Sequence, residues 1–116
     1  MAEITIYHNG QCSKSKGTLE LLQDSGVPFN VRWYITEPLS TLEIADLLKQ
    51  LGMSAYSLAR KSEPLFQEQY ANKSLSEKQW IQVLADNPVL IERPIVTNGE
   101  EAIIARPPET VLEFIQ

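Results

Sequence analysis

A chain of 116 residues, 43% of them hydrophobic and 22% charged, has the length and balance of one globular domain, and such a domain buries roughly two-thirds of the surface its unfolded chain exposes, enough to fold without staples. One cysteine excludes an intrachain disulfide framework, and one cysteine with one histidine cannot complete the usual tetrahedral Cys/His zinc site. A net charge of -5 disfavours broad binding to nucleic acid or anionic lipid, so an anion site in this chain has to be local.

The N-terminus passes straight into Glu3-Ile4-Thr5-Ile6, with neither the basic and apolar regions of a signal peptide nor, further on, a run of about 18 apolar residues that would span a membrane. This is the pattern of a cytoplasmic protein with no membrane role. Residues 3–8 alternate and are rich in β-branched and aromatic types, which predicts a short strand ending at His8, and Asn9-Gly10 breaks it. From Ser13 the spacing becomes helical, with Thr18, Leu19, Leu21, Leu22 and Ser25 on one side and Gly26 at the stop. Phe29 to Tyr34 reads as the next strand, parallel to the first because a helix connects them.

Ser40 and Glu43 form a capping box with Leu39 and Ile44 as its hydrophobic staple, and Ile44, Leu47, Leu48 and Leu51 give an apolar stripe that stops at Gly52. Residues 54–70 predict one or two short helices. Ser76 with Gln79 opens another, with Trp80, Ile81 and Leu84 facing inward as far as Asn87-Pro88. Ile95-Val96-Thr97 and Ala102-Ile103-Ile104 flank Asn98-Gly99 as a hairpin, and Pro107-Pro108 start a last helix with Val111, Leu112 and Ile115 buried. The order, a βαβ unit, a helical insertion over about 40–88 and a ββα unit, is that of an α/β domain with a mixed four-stranded sheet, a thioredoxin-like fold occupying residues 1–116. There is no internal repeat or linker to mark a second domain.

Cys12 lies where a strand, a glycine-containing loop and a helix meet. A thiol just before a helix feels the partial positive charge of its free N–H groups, which favours thiolate, and an anion held there would sit against the sulfur. Lys14 and Lys16 add charge nearby. The residue alone is equally consistent with a small buried hydrophobe. His8 is either a capped residue at the strand end or a cation or hydrogen-bond donor to the thiol, and Ser15 closes a Cys-x-x-Ser spacing whose hydroxyl suits both helix capping and thiolate stabilisation. Arg60, Arg93 and Arg106 each suit a solvated surface, but Arg93 and Arg106 immediately precede prolines, which restrict their backbones, and fixed guanidinium forks are good ligands for a tetrahedral oxyanion. Whether either Arg-Pro bond is cis is open in the sequence.

Ile4-Thr5-Ile6-Tyr7-His8-Asn9 followed by Cys12, Leu58-Ala59-Arg60-Lys61, Leu90-Ile91-Glu92-Arg93-Pro94-Ile95-Val96 and Ala105-Arg106-Pro107-Pro108-Glu109 together resemble the glutaredoxin-coupled arsenate reductase family, from Ile4 to Phe114. The resemblance implies an oxidoreductase in which Cys12 attacks arsenate, glutathione attacks the arsenic adduct, glutaredoxin reduces the mixed species and arsenite leaves. It also implies His8 and Ser15 as neighbours of the nucleophile and Arg60, Arg93 and Arg106 as the oxyanion-binding set. It further implies no bound metal or cofactor, glutathione as thiol co-substrate, glutaredoxin as partner and a monomer. The chain departs from the pattern at Gly10-Gln11, where a proline often stands first, and at Lys16, where arginine is frequent. The family also resembles Spx-type regulators, which leaves a catalytically silent adaptor, or chemistry on another oxyanion, as alternatives; Ser15 in place of a second cysteine removes an intramolecular redox switch.

Overall fold

The computed structural model describes residues 3–116. Strand β1 (Ile4–Tyr7) runs parallel to β2 (Phe29–Arg32) and antiparallel to β3 (Ile95–Thr97), which pairs antiparallel with β4 (Ala102–Ile104), so the sheet order is β2-β1-β3-β4. This is the mixed four-stranded, thioredoxin-like arrangement expected from the order of elements. Alternation along β1 divides the core between the two faces of the sheet. Ile4 and Ile6 join Leu22, Val96, Ala105 and Val111 under helices α1 (Ser13–Ser25) and α6 (Thr110–Phe114). On the other face Tyr7 and Ile95 meet the residues of the helical insertion, among them Tyr34, Ile44, Leu47, Leu58, Leu84 and Leu90.

The insertion consists of α2 (Thr41–Leu51), α3 (Ala55–Leu58), α4 (Pro64–Gln69) and α5 (Glu77–Asp86), followed by a 3₁₀ turn at Pro88–Leu90. Both sequence-predicted capping boxes form. The Ser40 and Ser76 side chains accept the Glu43 and Gln79 N–H groups, and the Glu43 and Gln79 side chains accept the N–H groups of the two caps. Gly26 and Gly52 end α1 and α2 in the left-handed conformation, with φ of 77° and 69°. Residues 54–70 resolve into two helices, so the wider of the two sequence readings holds. An isolated antiparallel bridge between Ala59 and Ile91 fastens this insertion to the segment before β3. Around it the Arg60 N–H donates to the Leu90 carbonyl at 2.7 Å and the Glu92 N–H to Leu58 at 3.0 Å.

Several boundaries differ from the sequence reading. β1 stops at Tyr7, one residue short of His8, and β2 stops at Arg32, leaving Trp33 and Tyr34 outside the sheet. Because β1 has ended, backbone beyond Arg32 has no strand to pair with. It closes a turn in which the Thr36 and Glu37 N–H groups donate to the Trp33 carbonyl. In α1 the buried positions are Ser15, Thr18 and Leu22, while Ser25 is exposed at the helix end. Ile81 in α5 is half-buried, unlike Trp80 and Leu84. The last helix starts at Thr110 rather than at the prolines, and Leu112 is 37% exposed. With Val111 facing the sheet, Phe114 and Ile115 fall one turn further along the same face, and Leu112 is rotated away.

Arg32 connects the sheet edge to α2. Its Nη1 donates to Glu43 Oε2 at 2.9 Å, and its other N–H groups donate to the Glu37 and Pro38 carbonyls, so one guanidinium holds the loop that carries Trp33 and Tyr34. The same contact and the Ser40 N–H keep the Glu43 carboxyl below its ordinary range. We expect Ser76→Ala to lower stability by about 1 kcal/mol, the usual worth of an N-cap hydroxyl, read as a lower thermal midpoint with the far-UV circular dichroism spectrum unchanged.

Candidate active site at the start of the first helix

The segment between β1 and α1 is closed by its own side chains. The His8 N–H continues the pairing with β2 by donating to the Arg32 carbonyl at 2.9 Å. Asn9 Oδ1 accepts the Gln11 N–H at 2.9 Å and the Asn9 carbonyl accepts the Cys12 N–H at 3.0 Å, a tight turn that delivers Cys12 to the N-cap of α1. Trp33 lies close to the turn as well: a Cβ at Gly10 would sit 3.4 Å from its ring, in ordinary van der Waals contact. Trp33 covers the turn and packs edge-on against His8, with ring centroids 4.8 Å apart.

Ser15 Oγ accepts the Asn9 N–H at 3.1 Å and lies 2.7 Å from His8 Nδ1. Burial, with Lys16 nearby, pushes the His8 imidazole below its ordinary value, against the opposing influence of Ser15, so His8 is neutral at pH 7. A neutral ring with its proton on Nε2 leaves Nδ1 free to accept the Ser15 O–H. Of the readings open for His8 in the sequence, capped strand-end residue, cation or hydrogen-bond donor to the thiol, the lowered pKa disfavours the cation. Desolvation is the physical reason, and its bond is to Ser15. The Ser15 hydroxyl serves His8 and Asn9, and Ser15 acts on the sulfur through its backbone N–H.

Cys12 is 7% exposed. Burial pushes its thiol up, but the Ser15 N–H, the hydrogen bonding and charge of the Arg93 guanidinium and the Lys14 N–H outweigh this, and the thiol titrates below its ordinary value. Arg93 precedes β3, is half-buried, and is joined to Pro94 by a cis bond; Arg106 is likewise joined to Pro107 by a cis bond. The Arg93 Nε and Nη1 atoms are buried and have no hydrogen-bond partner among the described residues.

Arg93 also lines a cleft of about 600 Å³ with Asn9, Gln11, Ile35, Arg60 and Glu63. Arg60 arrives there on the Ala59–Ile91 bridge, but its charge is already answered: Nη1 lies 2.6 Å from Glu63 Oε2 and Nε 3.5 Å from Glu92 Oε1. Arg106 is exposed and donates its Nε to the Arg93 carbonyl at 2.7 Å, bracing the backbone beneath the other guanidinium. The structure therefore brings Cys12, His8, Ser15 and Arg93 together, sets Arg60 across the cleft, and leaves Arg106 behind Arg93. Tyr34, Glu63 and Trp33 are the neighbours that sequence reading missed.

Comparison with known proteins places this chain among relatives: the sequence model of the ArsC family matches residues 7–114. The chain belongs to the ArsC family. Among its relatives, an Escherichia coli K12 protein named uncharacterized protein YfgD is 49% identical, the match covering 97% of each chain. An arsenate reductase of Haemophilus influenzae is 38% identical over 97% of this chain and 98% of its own. The solved arsenate reductase of Vibrio cholerae superposes with a TM-score of 0.91 at 39% identity, over 97% of both chains.

In this ArsC-family chain the thiol's low titration is tied to Arg93, and that link can be tested. Arg93→Met, which keeps the stem but removes the charge, is expected to move the pH midpoint of Cys12 alkylation by iodoacetamide upward. As Cys12 is the only cysteine, mass spectrometry reads it without interference. An unchanged midpoint would separate Arg93 from the sulfur.

Proposed function

We propose that this protein reduces arsenate to arsenite, with Cys12 as nucleophile and electrons from glutathione and glutaredoxin. The observation that supports the reading is the juxtaposition of a thiol favoured as thiolate with a guanidinium whose buried Nε and Nη1 have no hydrogen-bond partner among the described residues. A thiolate and a multiply charged oxyanion repel each other. A fixed cation that touches both lowers that cost and stabilises charge as it moves from sulfur to the oxyanion's oxygens.

The chemistry follows from the single cysteine. The Cys12 thiolate bonds to arsenic(V) and a hydroxide leaves as water after taking a proton. The chain has no second thiol to carry the reaction further, so a glutathione thiol displaces a second hydroxide from arsenic. A glutaredoxin thiolate then attacks the glutathione sulfur, forming a mixed disulfide and leaving the electron pair on arsenic, which becomes arsenic(III). Water cleaves the remaining As–S bond, releasing arsenite and the Cys12 thiol. The two electrons come from the two external thiols, and Cys12 ends as it began. Such a cycle suits a reducing cytoplasm and needs no metal.

Steady-state turnover of arsenate with glutathione plus glutaredoxin tests this directly. We expect turnover with both donors, little with glutathione or thioredoxin alone, and none for Cys12→Ser with unchanged circular dichroism. No turnover by the wild type with both donors would refute the reading.

A further inference from the structure

Tyr34 is 1% exposed, and its hydroxyl has no hydrogen-bond partner among the described residues. A hydroxyl buried without a partner destabilises a fold, and phenylalanine would fill the same space without that cost. The fold therefore gains no hydrogen bond from this oxygen among the described residues. Its surroundings indicate what it waits for. Arg93, Asn9, Cys12 and Arg60 all act on it electrostatically, so it lies near the unpartnered Arg93 nitrogens although it comes from a different part of the chain. Asn9 is near enough to favour the ionised phenol, yet no hydrogen bond of good geometry closes, and its Oδ1 is committed to the Gln11 N–H.

Burial pushes the Tyr34 phenol up to about 12, so at neutral pH it keeps its proton and acts as a neutral donor. The two groups without partners are then a donor that is cationic and a donor that is neutral. Their complement is a ligand that only accepts, from more than one oxygen, and carries negative charge. We infer that the Tyr34 hydroxyl donates a hydrogen bond to an oxygen of the oxyanion that Cys12 attacks, sharing that ion with Arg93. The inference rests on the oxyanion reading of this site and adds a residue to it. A neutral donor is useful there because it strengthens as negative charge gathers on an oxygen when the sulfur–arsenic bond forms, without adding to the charge that the buried site must hold beforehand.

Tyr34→Phe in the full chain removes one oxygen and leaves the ring. Iodoacetamide alkylation of Cys12, run with increasing arsenate or sulfate and no thiol donor, measures anion occupancy independently of turnover. The wild type should be protected, and in Tyr34→Phe the half-protecting concentration should rise roughly tenfold, the worth of one hydrogen bond to a charged group. The thermal midpoint without anion should equal or exceed that of the wild type, since a buried hydroxyl without a partner has been removed. Equal half-protecting concentrations in the two proteins would overturn the inference, as would absence of protection in the wild type. A wild type that is protected by arsenate yet fails to reduce it with both donors would remove the reductase reading and leave the binding role of Tyr34 standing.

Discussion

A thiol that is almost wholly buried and yet titrates below its ordinary value needs fixed charge and dipoles around it, and the site is organised around that requirement. The Lys14 and Ser15 N–H groups supply them from the start of α1, and the Arg93 guanidinium does so from the segment before β3. Each depends on structure elsewhere. The helix start is aimed by the turn from His8 to Cys12, which the His8–Ser15 and Asn9–Ser15 bonds close. The turn in turn hangs on the end of β1, a central strand held between a parallel and an antiparallel neighbour. A thioredoxin-like sheet is suited to this because a loop at the end of a buried strand is fixed on both sides while its tip stays near solvent.

Arg60, Arg93 and Arg106, grouped as one oxyanion-binding set by the family resemblance, are used differently in the fold. Arg93 alone combines contact with the sulfur and inward nitrogens that lack partners among the described residues. Arg60 enters the same cleft already held by Glu63 and Glu92, so an anion gains it only in competition with two carboxylates. Arg106 supports the Arg93 backbone from the exposed side. In the proposed reading an arriving oxyanion would meet a cation with no hydrogen-bond partner on two nitrogens among the described residues, a shared cation and a neutral phenol, a graded set of donors that limits repulsion among the arginines before the anion arrives.

Much of this was legible in the sequence because local rules agreed with the fold. The two capping boxes, the Gly26 and Gly52 stops and the Asn98-Gly99 hairpin are short-range signals, and all formed. Cys12 at the helix N-cap followed from the same kind of evidence. What failed depended on distant partners. Trp33 and Tyr34 continue the strand pattern of β2, and only the early end of β1 turns them into a loop; that loop then places Trp33 over His8 and Tyr34 in the core. His8 is an ordinary titrating histidine until burial is known, and nothing local marks Glu63, the residue before the first position of α4, as the partner of Arg60. The exposure of Leu112 follows from where α6 starts, which two prolines obscure.

The central claim is that the Arg93 nitrogens left unpartnered in the fold are the seat of a tetrahedral oxyanion beside Cys12. A crystal structure of the wild type soaked in arsenate, or of Cys12→Ser soaked in sulfate, tests it most directly. Electron density for a tetrahedral ion within hydrogen-bond distance of Arg93 Nε and Nη1, with its centre facing the sulfur or the serine oxygen at position 12, is the expected result. An ion bound elsewhere, with Arg93 still unpartnered at saturating anion, would contradict it.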